Sequence, residues 1–588
     1  VLIGVSACAL FAFVGACGHH EPHGPAKRVI LITCDTLRPD RLGTYGYKLA
    51  TSPNVDAFAR ESVVFEKAYS CAPWTGPSLC ALHTGKLPDE IGVPGGNRAP
   101  LPAQAITLAE LARKGGYGTA AIISNWVLRK PDKSRGDVGL QQGFALYDDE
   151  MTVKELNRDL YERRAPETTA AAVRWLEGEK SAANDRFFLW VHYQDPHGPY
   201  LPPPEILKRF ERPMTDEPTL PVSATVKGKD AIPSYQALAG ETRPEAYRMR
   251  YDAEIASFDE GFGRLIAKLK DLGWFDDTLI VFTADHGESL GEHGYWFCHG
   301  ENLYQEEVHV PLAIHFPRGA KHVAGVASDR GERVKELAGH LDLWPTILEA
   351  LGIDAPENRG LSLFRASLPE DRVNVQTLAP PPSPNRWEAV GDGSFRLVMR
   401  RGAEFELYDL EHDPGETVNV ASKETTRAAR LLQRMHAFVE EMKSAPLPEV
   451  EVKPDARTEK LMKGLGYTGE EDHPDDGHPR GGANRSPGTD ARADIVAIES
   501  ALKDYAIHHG GRYPDSLAVL VALDANGHAY LEGKKVPTDP WGRKYLYEPP
   551  APSRSEPRVY TLGKDGKVGG EGDDADIDNL MLRNEHKK

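Results

Sequence analysis

Cysteine is scarce: there are six among 588 residues, and two of these, Cys8 and Cys17, fall in the apolar start of the chain. The remaining four, Cys34, Cys71, Cys80 and Cys298, define no disulfide framework of the kind that small exported domains depend on. Cys71 and Cys80 are near enough in sequence to pair; the alternative is that they are small buried side chains. A basic excess is missing as well. Lys and Arg number 70 against 88 Asp and Glu, a formal charge of -18, so the basic faces that bind nucleic acid are not expected. Beyond the first residues no apolar run approaches the roughly 20 residues of a membrane-crossing helix. What is present, 40% hydrophobic residues over this length, suffices for one large α/β domain with smaller companions.

The opening "VLIGVSACALFAFVGACGHHEPHG" is a short apolar run ending in small residues and then abruptly polar. That is the profile of a secretory signal, too short to span a bilayer. Its "VGAC" resembles a bacterial lipobox with Cys17 as the acylated residue. Residues 1–17 are therefore expected to be a signal with lipobox and 18–27 a spacer. The protein is expected to be exported, to the periplasm, outer membrane or cell surface, as a lipoprotein. Its membrane contact is then the lipid alone, a weak tether without a second contact.

Further along, "KRVILITCDTLRPDRLGTYGY", "DRFFLWVHYQDPHGPY" and "DDTLIVFTADHGESLGEHG" each run through β-branched and aliphatic residues into Asp or His, as buried parallel strands do at their carboxyl edge. Between them, "PETTAAAVRWLEGE" and "YRMRYDAEIASFDEGFGRLIAKLKDLG" repeat apolar residues at three and four, the second stopping at Gly. Alternating strand and helix predicts a mostly parallel sheet with helices on both faces, and ligands bind such sheets at the carboxyl ends of their strands. "FRLVMRRGAEFELYDLEHDPGETVNVA" alternates like an antiparallel hairpin, and a helix is predicted over about 425–443. From 469 to 489 the chain is rich in Gly, Pro and charge, a linker before a new module.

The strand ends carry the chemistry. Asp35, Asp285 and His286 supply hard oxygen and imidazole ligands suited to a divalent metal. "HYQDPHGPY" adds His192, Asp195 and His197, and "GEHGYWFCHG" adds His293 and His299. A single Asp at a strand end is more often a turn or cap residue; three such ends shift the balance.

Taken together, "VILITCDTLRPDRLGTYGY", "TSPNVDAFARESVVFEKAYS", "PSLCALHTGKLP", "FLWVHYQDPHGPYLPP", "FTADHGESLGEHG", "VPLAIHFP" and "LYDLEHDPGETVN" resemble the sulfatase-like branch of the alkaline phosphatase superfamily, over about 28–469. The resemblance implies an alkaline phosphatase-like sheet domain (28–370), a smaller antiparallel subdomain (371–468) and a metal-assisted nucleophile attacking a sulfate or phosphate ester. Sulfatases carry Cys-x-Pro-x-Arg, whose Cys becomes formylglycine, ahead of a helix ending in Thr-Gly. "CAPWT" imitates that start, but Cys71 lies four residues too early. The position ten residues before Gly85 is Thr75, with Pro77 and Ser78 in step and Leu79 in place of the Arg. Threonine cannot become formylglycine; coordination to a divalent cation is what activates it. It is the nucleophile that phosphodiesterases and phosphoethanolamine transferases of the superfamily use, and His192, His197 and His299 match residues that there bind the leaving or transferred group, or a second metal. The implied metal ligands are Asp35, Thr75, Asp285 and His286, the metal being zinc, calcium or manganese. The family's basic residues have no counterpart in "AIISNWVLRK", where Ser124 and Trp126 stand at their usual positions. Three functions are compatible with this pattern: ester hydrolase, phosphodiesterase or phosphoethanolamine-type transferase, and a binding or scaffold protein with a degenerate site.

The C-terminal segments "ARADIVAIESALKDYAIHHGGRYPDSLAVLVAL", "VPTDPWGRKYLYEPP" and "RVYTLGKDGKVGGEGDDADIDNL" resemble the globular part of the major pseudopilin of bacterial type II secretion. The resemblance implies a small α+β domain over 490–588 and a calcium site. Asp565, Asp573 and Asp576 on a Gly-rich loop offer the hard oxygens that calcium takes in numbers of six to eight. The pseudopilin's long apolar helix has no counterpart here, so a docking or substrate-presenting role with a protein or glycan partner is expected rather than a filament.

Overall fold

The computed structural model describes residues 25–93, 100–130, 138–158, 160–181, 185–319, 331–364, 368–369, 371–378, 386–400 and 405–443, and, with interruptions, 491–581. Cys17 and the 469–489 linker lie outside the described residues. The chain divides into two compact units, Val1–Met399 with Phe405–Gly469, and Arg400–Glu404 with Glu470–Lys588.

An eight-stranded sheet organises the first unit. In chain order its strands are β1 (Arg28–Cys34), β2 (Val63–Tyr69), β3 (Gly118–Ile123), β4 (Leu146–Asp148), β5 (Phe187–Tyr193), β6 (Thr278–Ala284), β7 (Leu312–His315) and β8 (Arg333–Gly339). They lie in the order β8-β2-β7-β6-β1-β5-β3-β4. β7 runs antiparallel to both neighbours, and the other pairings are parallel. The continuous apolar runs of β1, β5 and β6 are explained by their place at the centre, where every residue is buried; only a strand covered on both faces can dispense with alternation. Helices pack in two groups, as on the two faces of a sheet. One joins α3 (Ala165–Ser181) and α4 (Pro244–Asp271) with α1 (Pro53–Ala59); the other joins α2 (Thr75–Thr84) and α5 (His340–Ala350).

Strands β9 (Asn374–Leu378), β10 (Trp387–Gly391), β11 (Phe395–Arg400) and β12 (Glu406–Asp409) form a second, antiparallel sheet. The helix α6 (Thr425–Lys443) covers it through Ala428, Leu431 and Met435, which pack on Val375, Val390, Leu397 and Leu407. The expected hairpin and helix are thus both present.

In the second unit, strands Leu546–Glu548, Arg558–Thr561 and Ile577–Asp578 form an antiparallel sheet. Its core takes Ile495, Ile498 and Leu502, at helical spacing, against Leu520, Tyr545 and Val559. Among the described residues no helix is long and apolar enough to cross a membrane. Cys34, Cys71, Cys80 and Cys298 are buried thiols that form no disulfide, which removes the Cys71–Cys80 pairing left open by the sequence.

Candidate active site

Sheet register assembles the site. Cys34 of β1 stands beside Ala284 of β6 and Tyr193 of β5. The next residues along, Asp35 and Asp285, are therefore neighbours, and His192 projects from the adjoining strand. The Asp35 N–H donates to Tyr193 O at 2.9 Å and the Asp285 N–H to Cys34 O at 3.1 Å, continuing the ladder to the ligand-type residues themselves. Asp285 Oδ1 accepts the Thr36 and His286 N–H groups at 3.2 and 2.8 Å. Asp35 Oδ2 accepts from Asn125 Nδ2. This leaves Asp35 Oδ1, Asp285 Oδ2 and His192 Nε2 buried without a hydrogen-bond partner among the described residues. One ligand atom each from Asp35, His192 and Asp285 lies within 4.8 Å of the others. Two carboxylates and an imidazole converging with unsatisfied atoms fit a divalent cation, because buried polar atoms are otherwise paired.

Thr75 stands at the first position of α2 and connects to this group through His286. The helix opens there because Trp74 is extended, and Pro77 in the first turn forfeits an N–H with no intrahelical partner. It stops at Gly85, whose φ of 68 is left-handed and whose Cβ, if present, would stand 2.9 Å from the Trp344 ring. Ser78 locks the helix to the strand end by donating to Asp285 O at 2.6 Å. Thr75 Oγ1 lies 3.4 Å from His286 Nε2, which is 3.8 Å from Asp35 Oδ1 and 3.7 Å from Asp285 Oδ2. Carbonyl contacts set the other ring nitrogens: His286 Nδ1 sits 2.9 Å from Gly287 O and His197 Nδ1 2.6 Å from Gly198 O. His299 bridges the groups, its ring 4.5 Å from that of His286 and 5.2 Å from that of His197, with Nδ1 3.4 Å from Glu288.

Electrostatics derive from burial. Loss of water pushes the Asp35 carboxyl well above the usual range and Asp285 up to about 6, the latter aided by the Asp35 charge. The same burial lowers His192 and His286 to about 4 and His299 to about 3, and takes His197 well down. A cation among these carboxylates would reverse the penalty on their charged forms.

The structure brings together Asp35, Thr75, His192, His197, Asp285, His286 and His299. His192 shares the tight group with the two carboxylates, its Nε2 3.7 Å from Asp35 Oδ2, whereas sequence reasoning placed it among residues that bind the leaving or transferred group, or a second metal. Three residues with no role assigned from sequence also face the site: Asn125, Glu288 and Arg158. Asn125 had a readable signal, a polar residue just past a buried strand, masked by its neighbours Ser124 and Trp126 at the family's usual basic positions. Ser124 instead accepts the Gln194 N–H at 2.8 Å. Arg158 stands in a region of short strands without periodicity. Its side chain pairs with Glu155, lies 4.6 Å over the Tyr235 ring and depresses the protonation of His197 and His299. In the second unit, Asp565 Oδ1 accepts the Lys567 N–H and Asp576 Oδ2 the Gly569 N–H, both at 2.9 Å. Asp573 lies outside the described residues.

Residues 27–353 match the sulfatase family, and residues 481–580 match protein G of the type II secretion system. Among curated relatives, iduronate 2-sulfatase of Mus musculus is 25% identical over 415 residues, covering 60% of this chain and 73% of the relative. An N-acetylglucosamine-6-O-sulfatase of Bacteroides thetaiotaomicron is 23% identical over 483 residues, covering 67% and 82%. A solved structure in complex with its substrate D-glucosamine-2-N,6-O-disulfate superposes with a TM-score of 0.57 at 22% identity, covering 71% of this chain and 98% of that one. The phosphonate monoester hydrolase of Agrobacterium radiobacter gives 0.54 at 22% identity, covering 73% and 100%. Fold and site thus define an ester hydrolase of the alkaline phosphatase superfamily. Within it, the chain belongs to the sulfatase family and carries a C-terminal region like protein G of type II secretion.

Proposed function

We propose that the protein is a metal-dependent hydrolase of sulfate or phosphate esters in which Thr75 is the nucleophile. The observation that carries this reading is the position of Thr75 Oγ1, buried at a helix N-terminus beside His286, whose Nε2 in turn lies 3.8 Å from Asp35 Oδ1 and 3.7 Å from Asp285 Oδ2. Asp35, Asp285, His286 and Thr75, with His192 as an added ligand, would hold the cation. When bound, the cation supplies stabilisation of the threonine alkoxide and of charge on the transferring oxyanion.

Thr75 Oγ, giving up its proton, attacks sulfur or phosphorus; the bond from that atom to the leaving ester oxygen breaks, and a sulfo- or phosphothreonine forms. The N-terminus of α2 favours negative charge at Thr75. His197 and His299, uncharged because burial lowers them, orient the leaving oxygen and relay to it the proton given up by Thr75, and Arg158 adds fixed positive charge beside them. Water then cleaves the threonine ester and regenerates the hydroxyl. A sulfated sugar is the favoured substrate class, since the curated relatives named above are sulfatases acting on sugar sulfates. The threonine, which cannot take the formylglycine route, favours a second reading: phosphodiester cleavage or phosphoryl-group transfer. Purified protein assayed on aryl sulfate, aryl phosphate, phosphodiester and phosphonate monoester panels separates the two. Wild-type turnover by Thr75→Ala would remove Thr75 as the nucleophile in both, and absence of turnover by the wild-type protein on every panel would leave the scaffold reading.

The leader and Cys17 are read as directing export and lipid anchoring. The 490–588 module is read as a calcium-binding accessory that docks a protein or glycan partner.

A further inference from the structure

Away from the catalytic group, His293, Glu306 and Glu416 each turn a ligand atom to one point, all within 4.8 Å of one another. They come from separate places: the loop after β6, a short helix at Gln305–Val308, and the turn beyond β12. We propose that these three residues bind a divalent cation of the zinc class, which fastens the antiparallel sheet to the loop carrying His299. This site stands independently of the role given to Thr75.

Two of the three groups are poised for a ligand rather than satisfied by their neighbours. His293 Nε2 and Glu306 Oε1 are buried and have no hydrogen-bond partner among the described residues, although Glu306 is only 8% exposed. An unpaired carboxylate oxygen and an unpaired imidazole nitrogen at such depth are costly. Like charge adds to the strain. Burial raises Glu306 well above the ordinary carboxyl range, with Glu292 and Glu416 raising it further against the opposing Arg38 charge and a backbone hydrogen bond. Glu406 and Asp413 also face His293, against Lys229. Two of the nearby cations are already engaged: Arg38 Nη1 meets Glu292 at 2.9 Å, and Arg396 Nη1 donates to Glu416 Oε1 at 3.0 Å.

The ligands are also oriented. The Tyr304 ring stacks on His293 with centroids 3.6 Å apart and planes within 7°. Its hydroxyl, with that of Tyr408, donates to Glu406 Oε2 at 2.8 and 3.0 Å. Glu416 Oε2 accepts the Gln305 N–H at 2.6 Å, fixing that carboxylate. Such outer contacts are what orient ligating groups in built metal sites. One imidazole with two carboxylates is a borderline donor set, suited to zinc or manganese rather than to calcium's all-oxygen shell. Zinc takes these donors at about 2.0–2.2 Å.

The full chain, dialysed against zinc and then against buffer, should lose one zinc per molecule in each of Glu306→Gln and His293→Asn, measured by inductively coupled plasma mass spectrometry. Zinc should raise the thermal midpoint of wild type more than that of either variant. Equal zinc content in wild type and both variants would overturn the site. Glu306→Gln keeps volume and removes a repelling charge, so its fold can be verified by circular dichroism. Should it misfold, zinc-edge anomalous diffraction from wild-type crystals decides: a peak between His293 Nε2 and the two carboxylates supports the site, and none at saturating zinc rejects it.

Discussion

Thr75 Oγ1 lies 3.4 Å from His286 Nε2, and the two residues are joined by more than proximity, because Ser78, one turn along the Thr75 helix, donates to the carbonyl of Asp285 beside His286. The nucleophile's helix is therefore held to the strand end that carries the implied ligands. Thr75→Ala should lower kcat/KM by at least about a thousandfold, since removing a nucleophile that acts as a unit with its activators removes most of the catalysis. Thr75→Ser should retain measurable turnover. Steady-state kinetics on whichever ester the panel selects provides the check.

Chelation should abolish activity, and zinc, manganese or calcium should restore it to different extents. The pH dependence of rebinding has a definite sign. Burial and the Asp35 charge raise Asp285 to about 6 in the cation-free protein. Protons therefore compete below that value, and apparent metal affinity should fall as pH drops through about 6. Metal titrations at pH 5 and 7.5 measure it; identical affinities would argue against Asp285 as a ligand.

Three of the site's ends were legible because buried parallel strands declare themselves: "VILITC", "FLWVHY" and "LIVFTA" cannot be surface segments, and the residues just past each must lie at the carboxyl edge. Register was not legible. Nothing in "HYQDPH" says that His192 rather than His197 turns toward Asp35; that depends on the pairing of Thr33 with His192 and the 2.8 Å contact of Thr33 Oγ1 with His192 Nδ1. Arg158 was missed for a different reason. Short irregular segments are placed by tertiary packing, here against Tyr235 and Gly198, and they leave no period to read.

Arg158→Ala should reduce kcat/KM on an anionic ester by about ten- to a hundredfold, comparable to the loss of one charge-stabilising donor. Removal of its charge also lets His197 and His299 protonate more easily, so the acid limb of the pH–rate profile should move to higher pH. A purely structural role would leave that limb in place.

His83 supplies an acid-lability prediction away from the ligands. It is buried against Trp190, with both ring nitrogens lacking a hydrogen-bond partner among the described residues, and burial lowers it to about 3. Above about pH 6.5 the group is neutral folded or unfolded, and its contribution is constant. As pH falls from 6.5 toward 3, only the unfolded chain takes the proton, so stability drops by up to about 1.4 kcal/mol per pH unit. His83→Phe should flatten this slope in urea melts between pH 7.5 and 5.

Leu79 tests how far the site has departed from the formylglycine pattern. It occupies the family's Arg position yet is fully buried in the main core. A guanidinium placed there would have to leave water, a cost of several kcal/mol unless a buried carboxylate receives it. Leu79→Arg should therefore lower the urea midpoint markedly, and a Thr75→Cys, Leu79→Arg double variant should not recover sulfatase activity through formylglycine. Stable folding of Leu79→Arg would mean that this pocket still accommodates the family's arginine, and that the sulfatase route was lost at Thr75 alone.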